Sequence, residues 1–154
     1  MAETKKVAIG SDHAGFKYKE IMKQWITELG YEVKDYGFYD EECHFDYKFV
    51  EGMAAGIISK EVCCGICICG TGIAVSICAN KIRGIRAALC NDIFTAEKSR
   101  QHNDANIICI GSRVIGEELA KQIIKVWLET EFEGGRHAKR NEYTKYLEDK
   151  NFCS

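Results

Sequence analysis

The run Ile68-Cys69-Gly70-Thr71-Gly72 places a cysteine directly before a Gly-Thr-Gly turn, and an apolar run follows it. Gly65 to Cys69 predicts a buried strand and Gly72 onward predicts a helix, which sets Cys69 between a strand end and a helix N-terminus. Free backbone N–H groups and the positive end of the helix dipole favour thiolate over thiol at such a position. The same N–H groups can hold an oxyanion, and Thr71 adds a hydroxyl donor. The chemistry this suggests is proton abstraction by a thiolate beside an oxyanion cradle. On this reading Cys69 is the most reactive of the nine cysteines. The competing reading makes it one more small apolar core residue.

Other residues could join it. Gly10-Ser11-Asp12-His13 follows the first apolar run, so Asp12 and His13 sit in the loop after a strand. His102, in Ser99-Arg100-Gln101-His102-Asn103-Asp104, suits a general acid near neutral pH. It equally suits a side chain bonding the last carbonyls of a helix. Arg136 and Arg140 are four apart, so one helix face carries both, close enough to share a phosphate. Tyr143 and Leu147 extend that stripe, which predicts that the arginines point where the helix packs; the alternative is a surface basic cluster. His44 is assigned nothing, and His137 reads as solvated.

Three familiar devices are not supported. Gly70-x-Gly72 lacks the third glycine of a dinucleotide fingerprint, because Val75 stands there. No cysteine has an arginine six residues on, as a cysteine-dependent phosphatase loop would need. Cys63-Cys64-x-x-Cys67-x-Cys69 raises zinc, but no second Cys-x-x-Cys pair exists to complete a tetrahedral site, so no metal is expected.

The elements that must position these residues alternate. Strands are predicted at Lys6–Ile9, Tyr31–Tyr36, Gly65–Cys69, Ile85–Cys90 and Asn106–Ile110. Helices are predicted from Tyr18 to Leu29, Phe45 to Ser59, Gly72 onward, Asn91 or Asp92 to His102, around Leu119–Trp127, and Arg136 to Glu148. Five strands alternating with helices predict an α/β fold: a three-layer Rossmann-like parallel sheet in the order 2-1-3-4-5, with helices on both faces. Ligands of such sheets bind at the carboxyl ends of the strands, so Asp12, His13, Cys69 and Thr71 would face one crevice. The last helix has no strand after it and is free to pack against another subunit.

With 154 residues the chain is expected to be one domain, 1–154. A net charge of −2 supplies no field for nucleic acid. Val62 to Ala79 is uncharged, but its glycines and polar residues break it up, so no membrane span is expected. Nine cysteines, an odd number scattered through apolar runs with no preceding leader-like segment, suit a reducing cytoplasm.

In sum the motifs resemble the ribose-5-phosphate isomerase B family, the sugar-phosphate isomerases that include galactose-6-phosphate isomerase subunits. The resemblance is carried by Gly10–His13, Asp46-Tyr47, Ile68–Gly72, Ala79-Asn80-Lys81, Gly84–Ala87, Ser99–Asp104, Gly111–Val114 and Glu133–His137, over nearly the whole chain. It implies a flavodoxin-like fold and reversible conversion of ribose 5-phosphate and ribulose 5-phosphate without metal or organic cofactor. Cys69 would move a proton between C2 and C1, while Gly70, Thr71, Gly72, Ile73 and Ala74 would stabilise the enediolate. Asp12 and His102 would serve ring opening and oxygen protons. His13, Arg113, Arg136 and Arg140 would hold phosphate, and Asn103 and Tyr47 would position hydroxyls. Dimers or tetramers with sites shared between chains are implied. Lys48 stands where relatives carry proline, and Ala74 where glycine is frequent. Residues 73 to 77 hold no carboxylate to replace the cysteine as base. A hexose 6-phosphate substrate (galactose or allose 6-phosphate) and a non-catalytic phospho-ligand-binding module are the other readings.

Overall fold

A computed structural model describes residues 5–44 and 46–152. Chain order runs β1 (Lys6–Ser11), a 3-10 turn (His13–Gly15), α1 (Phe16–Glu28), β2 (Glu32–Asp35), α2 (Lys48–Ile58) and β3 (Cys64–Cys69). It continues through α3 (Ile73–Ala79), β4 (Ala87–Leu89), α4 (Ile93–Asn103), β5 (Ile107–Gly111), α5 (Glu117–Glu129) and α6 (Gly135–Asn151). All strand pairs are parallel. Every predicted element is present, mostly with shifted ends. The second helix begins at Lys48, and Phe45, its expected start, lies outside the described residues.

The strand order is β2-β1-β3-β5-β4, which corrects the expected 2-1-3-4-5 at one edge. An interior strand must pair on both sides and pack on both faces. Ile107-Ile108-Cys109-Ile110-Gly111 is buried throughout and does both. Ala87-Ala88-Leu89 is short and only partly covered, which suits the edge. Alternation along the strands divides the core. Ile66, Ile68, Ile108 and Ile110 face α1, α4 and α5, with Trp127 fully buried among them. Cys67, Cys69, Ile107 and Cys109 face α2 and α3.

A buried ion cluster braces the start of the crevice. Lys19 on α1 is fully buried, and its Nζ lies 2.9 and 2.8 Å from the two Asp35 oxygens and 2.7 Å from the Phe38 carbonyl. Lys23 adds a contact of 2.9 Å to the same carboxylate. Burial works against ionisation of Asp35, but Lys19, Lys23 and the Gly37 amide outweigh it and hold the carboxyl below its usual range. The loop so held pairs with the end of β1: Ser11 N–H donates to Gly37 O and Phe38 N–H to Ser11 O, each at 2.7 Å. That fixes Ser11, and with it the neighbouring Asp12.

Removing one member of a buried pair strands the other charge. Lys19→Met is therefore expected to cost about 3 kcal/mol, read from urea denaturation midpoints. A loss below 0.5 kcal/mol, the size typical of a surface substitution, would show that the cluster does not brace the fold.

Candidate active site

Three loops meet at the carboxyl edge of the sheet. After β1, the Asp12 amide donates to Ile68 O at 3.1 Å, and Asp12 Oδ1 accepts the Gly15 amide at 3.1 Å, capping the 3-10 turn. His13 Nδ1 is buried without a partner. After β5, Ser112 N–H donates to Cys69 O at 2.8 Å and Arg113 N–H to Gly70 O at 3.0 Å. Ser112 Oγ crosses to Ala14 O at 2.7 Å. Main-chain bonds thus hold Asp12, Cys69, Gly70 and Arg113 in one frame.

Cys69 ends β3 with 3% of its surface exposed, and its Sγ accepts the Gly72 amide at 3.0 Å. Gly72 is left-handed at φ 77° and starts α3. A Cβ there would lie 2.4 Å from Leu89 Cδ1 and 3.0 Å from the Ile110 carbonyl carbon. Thr71 Oγ1 accepts the Ile73 amide at 3.3 Å, and Thr71 and Ile73 are exposed while Ala74 is partly buried. Tyr47, half-buried edge-on against Phe49, completes this group. Burial, then the nearby charges of Asp12 and Cys69, push its phenol above the usual range, so it stays a neutral donor.

His102 and Asn103 are elsewhere. α4 starts at its N-cap Asp92, just past the carboxyl end of β4, and runs back to the amino-terminal start of β5. Gly65 pairs with Ile107 and Cys69 with Gly111, so the two edges are about 13 Å apart along β3. His102 lies five residues before Ile107, at the edge opposite Cys69. Arg136 and Arg140 belong with it, because α6 docks on α4: Asn141 Nδ2 donates to His102 O at 3.3 Å. A groove of about 450 Å³ opens beside Asn103 and Asn141.

The expectation for the arginine stripe is corrected. Arg136 and Arg140 are exposed, as are Tyr143 at 64% and Leu147 at 41%. The docked stripe of α6 carries His137, Asn141 and Glu148, and Glu148 accepts the Gly84 amide at 2.7 Å. Polar contacts chose that face, and hydropathy spacing does not register them.

Sequence reasoning also missed His137. It is 5% exposed, and its ring stacks on His102 with centroids 4.1 Å apart and planes at 8°. Its Nε2 lies 3.4 Å from Glu133 Oε2. Ligand atoms of His102, Glu133 and His137 fall within 4.8 Å of one another. Parallel rings carry their lone pairs in separate planes, so the pair is arranged as a stack rather than a chelate. The cysteine run does not gather sulfurs at one point either, since Cys64 joins one core cluster and Cys67 and Cys69 the other. The thiol of that run most open to solvent is Cys63. Its thiol is held down to about 7.

The frame at the carboxyl edge is a glycine turn leading into a helix N-terminus on a parallel α/β sheet, the edge at which such sheets bind ligands. Residues 7–143 match the ribose/galactose isomerase family model, and the chain belongs to that family. It is 45% identical to ribose-5-phosphate isomerase B of Escherichia coli, over 95% of this chain and 98% of that one. The ribose-5-phosphate isomerase B structure of Clostridium thermocellum superposes with a TM-score of 0.93 at 45% identity, covering 96% and 99% of the two chains. The Mycoplasma genitalium enzyme with bound ribulose-5-phosphate gives 0.90 at 32% identity, covering 97% and 100%.

Burial, then the charges of His102 and Arg136, hold the His137 imidazolium below its usual range against the pull of Glu133. A histidine depressed in the folded state binds its proton more readily when unfolded. Its stability contribution is complete above about pH 6.5 and is lost as pH falls toward the folded value. Melting temperature should therefore drop between pH 7.5 and 5.5, and less so in His137→Asn. An equal drop in the variant would assign the effect to other groups.

Proposed function

We propose that the protein interconverts D-ribose 5-phosphate and D-ribulose 5-phosphate through a cis-enediolate, with Cys69 as the base. The observation that carries this is the Gly72 amide on Cys69 Sγ, at the head of α3 and beside the exposed Thr71 turn. Cys69 takes the C2 proton of the open-chain aldose and returns it at C1. Charge that develops on the oxygens meets the Gly70–Ala74 backbone and Thr71. Asp12 and His102 serve ring opening and oxygen protons. His13, Arg113, Arg136 and Arg140 hold the phosphate, and Tyr47 and Asn103 position hydroxyls. The proton transfer uses side chains and backbone dipoles, with no cofactor or metal in it. The chain, 1–154, acts as one such domain. Its eight described cysteines are free thiols, which suits a reducing cytoplasm.

The division of the site supports a two-fold dimer, with α6 at the interface. Cys69 and His102 stand at opposite edges of one chain, so a working site takes one from each of two chains. Apolar Ile73 at 50% and Phe94 at 68% exposure flank the Cys69 edge, while Tyr143 and Leu147 flank the arginines. In an isologous pair each patch meets the other twice.

Incubation with ribose 5-phosphate in D2O should place deuterium at C2 of the recovered aldose. Cys69→Ser should lose about a thousandfold in kcat. Absence of exchange in the folded native protein would reduce the reading to a phospho-ligand-binding module. Mixing inactive Cys69→Ser and His102→Ala chains under subunit exchange tests the division. Half the dimers would be mixed, each with one intact site, so activity returns to roughly a quarter of native. No recovery, with exchange verified by mass spectrometry, would put both residues in one chain.

A further inference from the structure

Two adjacent cysteines at the far end of β3 have no part in this chemistry. Successive residues of a strand point to opposite faces. Cys63, however, sits in the bend just before β3, where its amide donates to Lys6 O at 2.8 Å, and the bend escapes that alternation. The two Sγ atoms are consequently 3.6 Å apart and share a hydrogen bond. Cys63 is exposed and Cys64 is 6% exposed. They open into a pocket of about 140 Å³ lined also by Lys5, Tyr31, Arg100, Trp127 and Leu128. Two cations and no carboxylate line it. Arg100 is held there by Ala105 O, by Thr130 O and by the Trp127 ring, 5.1 Å from the guanidinium carbon, and its Nη1 also lies 3.8 Å from Asp104 Oδ1 outside the pocket lining.

We propose that Cys63 and Cys64 form a vicinal dithiol oxidised by hydroperoxide, with Cys63 as the attacking sulfur and Cys64 as the resolving one. The roles follow from exposure. The outer sulfur is open to solvent and faces Lys5 and Arg100, which favours an anion, while the inner sulfur lies on the core side within reach of it. Consistently, the hydrogen bond with Cys64, opposed by burial and aided by Lys5 and Arg100, holds the Cys63 thiol down to about 7. Hydrogen bonding to Cys63 and burial push the Cys64 thiol up. The pocket is several water volumes in size, enough for hydrogen peroxide.

In the first step the Cys63 thiolate attacks one peroxide oxygen. A sulfur–oxygen bond forms, the O–O bond breaks, and the leaving hydroxide takes a proton to become water. In the second step the Cys64 sulfur attacks the Cys63 sulfenic acid. The S–S bond forms, the S–O bond breaks, and the departing hydroxide leaves as water with the Cys64 proton. Two thiols lose two electrons and one peroxide gains them. Neighbouring Cα atoms are about 3.8 Å apart, below the usual disulfide range that starts near 4.4 Å. The product is therefore strained and readily reduced, as regulatory disulfides are.

The test treats the native protein with hydrogen peroxide in small excess, blocks remaining thiols with N-ethylmaleimide and maps peptides by mass spectrometry. The tryptic peptide 61–81 carries Cys63, Cys64, Cys67, Cys69 and Cys78, so fragmentation must locate the change. The expected result is loss of two hydrogens and of two N-ethylmaleimide adducts at positions 63 and 64, restored by dithiothreitol. In Cys64→Ala, dimedone should trap a sulfenic acid at Cys63. In Cys63→Ser, an exposed substitution, positions 63 and 64 should gain no oxidation. First oxidation at Cys69 or Cys43 in the native protein, with positions 63 and 64 still fully alkylated, would overturn the proposal. The outcome does not depend on isomerase activity.

Discussion

The site depends on a contact between two bare backbones. The turn after β3 lies directly on the end of β5, backbone against backbone, with the Leu89 and Val114 side chains packed alongside. A Cβ on Gly111 would sit 2.7 Å from the Thr71 carbonyl carbon, and one on Gly72 would sit 3.0 Å from that of Ile110. Glycine at both positions lets the Cys69–Gly72 turn close over the sheet edge, and the left-handed Gly72 then delivers its N–H to the sulfur. A methyl at either place would lift the turn and move its amides.

That contact exists because β5, not β4, is the neighbour of β3. The strand order and the site are one fact seen at two scales. With β5 central, Gly111, Ser112 and Arg113 arrive next to Cys69, and Ser112 can tie Cys69 to Ala14. The same order sends α4 backward from the edge strand. His102 is then carried to the far edge, beyond the reach of its own chain's thiol. A fold that places the Cys69 turn in this way sets His102 apart from it, which is why the proposed site draws on two chains. The exposed Arg136 and Arg140 stand on the same side of the molecule as His102, two cations on one helix face with no carboxylate on their own stripe.

The fold was legible where hydropathy carries it. Apolar runs ending in glycine marked β1, β3 and β5, and Asp92 marked its helix start by its capping chemistry. The strand order was not, because it turns on which of two apolar runs can be buried on both faces. The contrast between Ala87-Ala88-Leu89 and Ile107–Ile110 states this only once the layers are known. The Cys69 turn and the loop bearing Asp12 and His13 were readable from residue types and spacing. The face of α6 that docks was not, since an amide bonding a carbonyl and a carboxylate bonding an amide leave no apolar period. Lys19 drew no reading, and His137 was read as solvated, for a related reason. Each is a polar residue whose burial depends on one partner brought by the fold, Asp35 for the lysine and the His102 ring for the histidine.

The cysteines carry the same lesson into chemistry. Cys63, in the bend just before β3, and Cys69, at the strand's end, are six residues apart, with the same side chain and opposite surroundings. Cys69 is enclosed, bonded by a backbone amide and reached only where a ligand would sit. Cys63 is open to solvent, bonded by a neighbouring thiol and faced by cations. A diffusing oxidant meets the second before the first. In the proposed mechanism Cys69 is the base, and burial at the end of β3 makes it poorly accessible to everything but a bound substrate. Reactivity in solution and reactivity toward a held substrate are separate properties here, set by the two ends of the same strand.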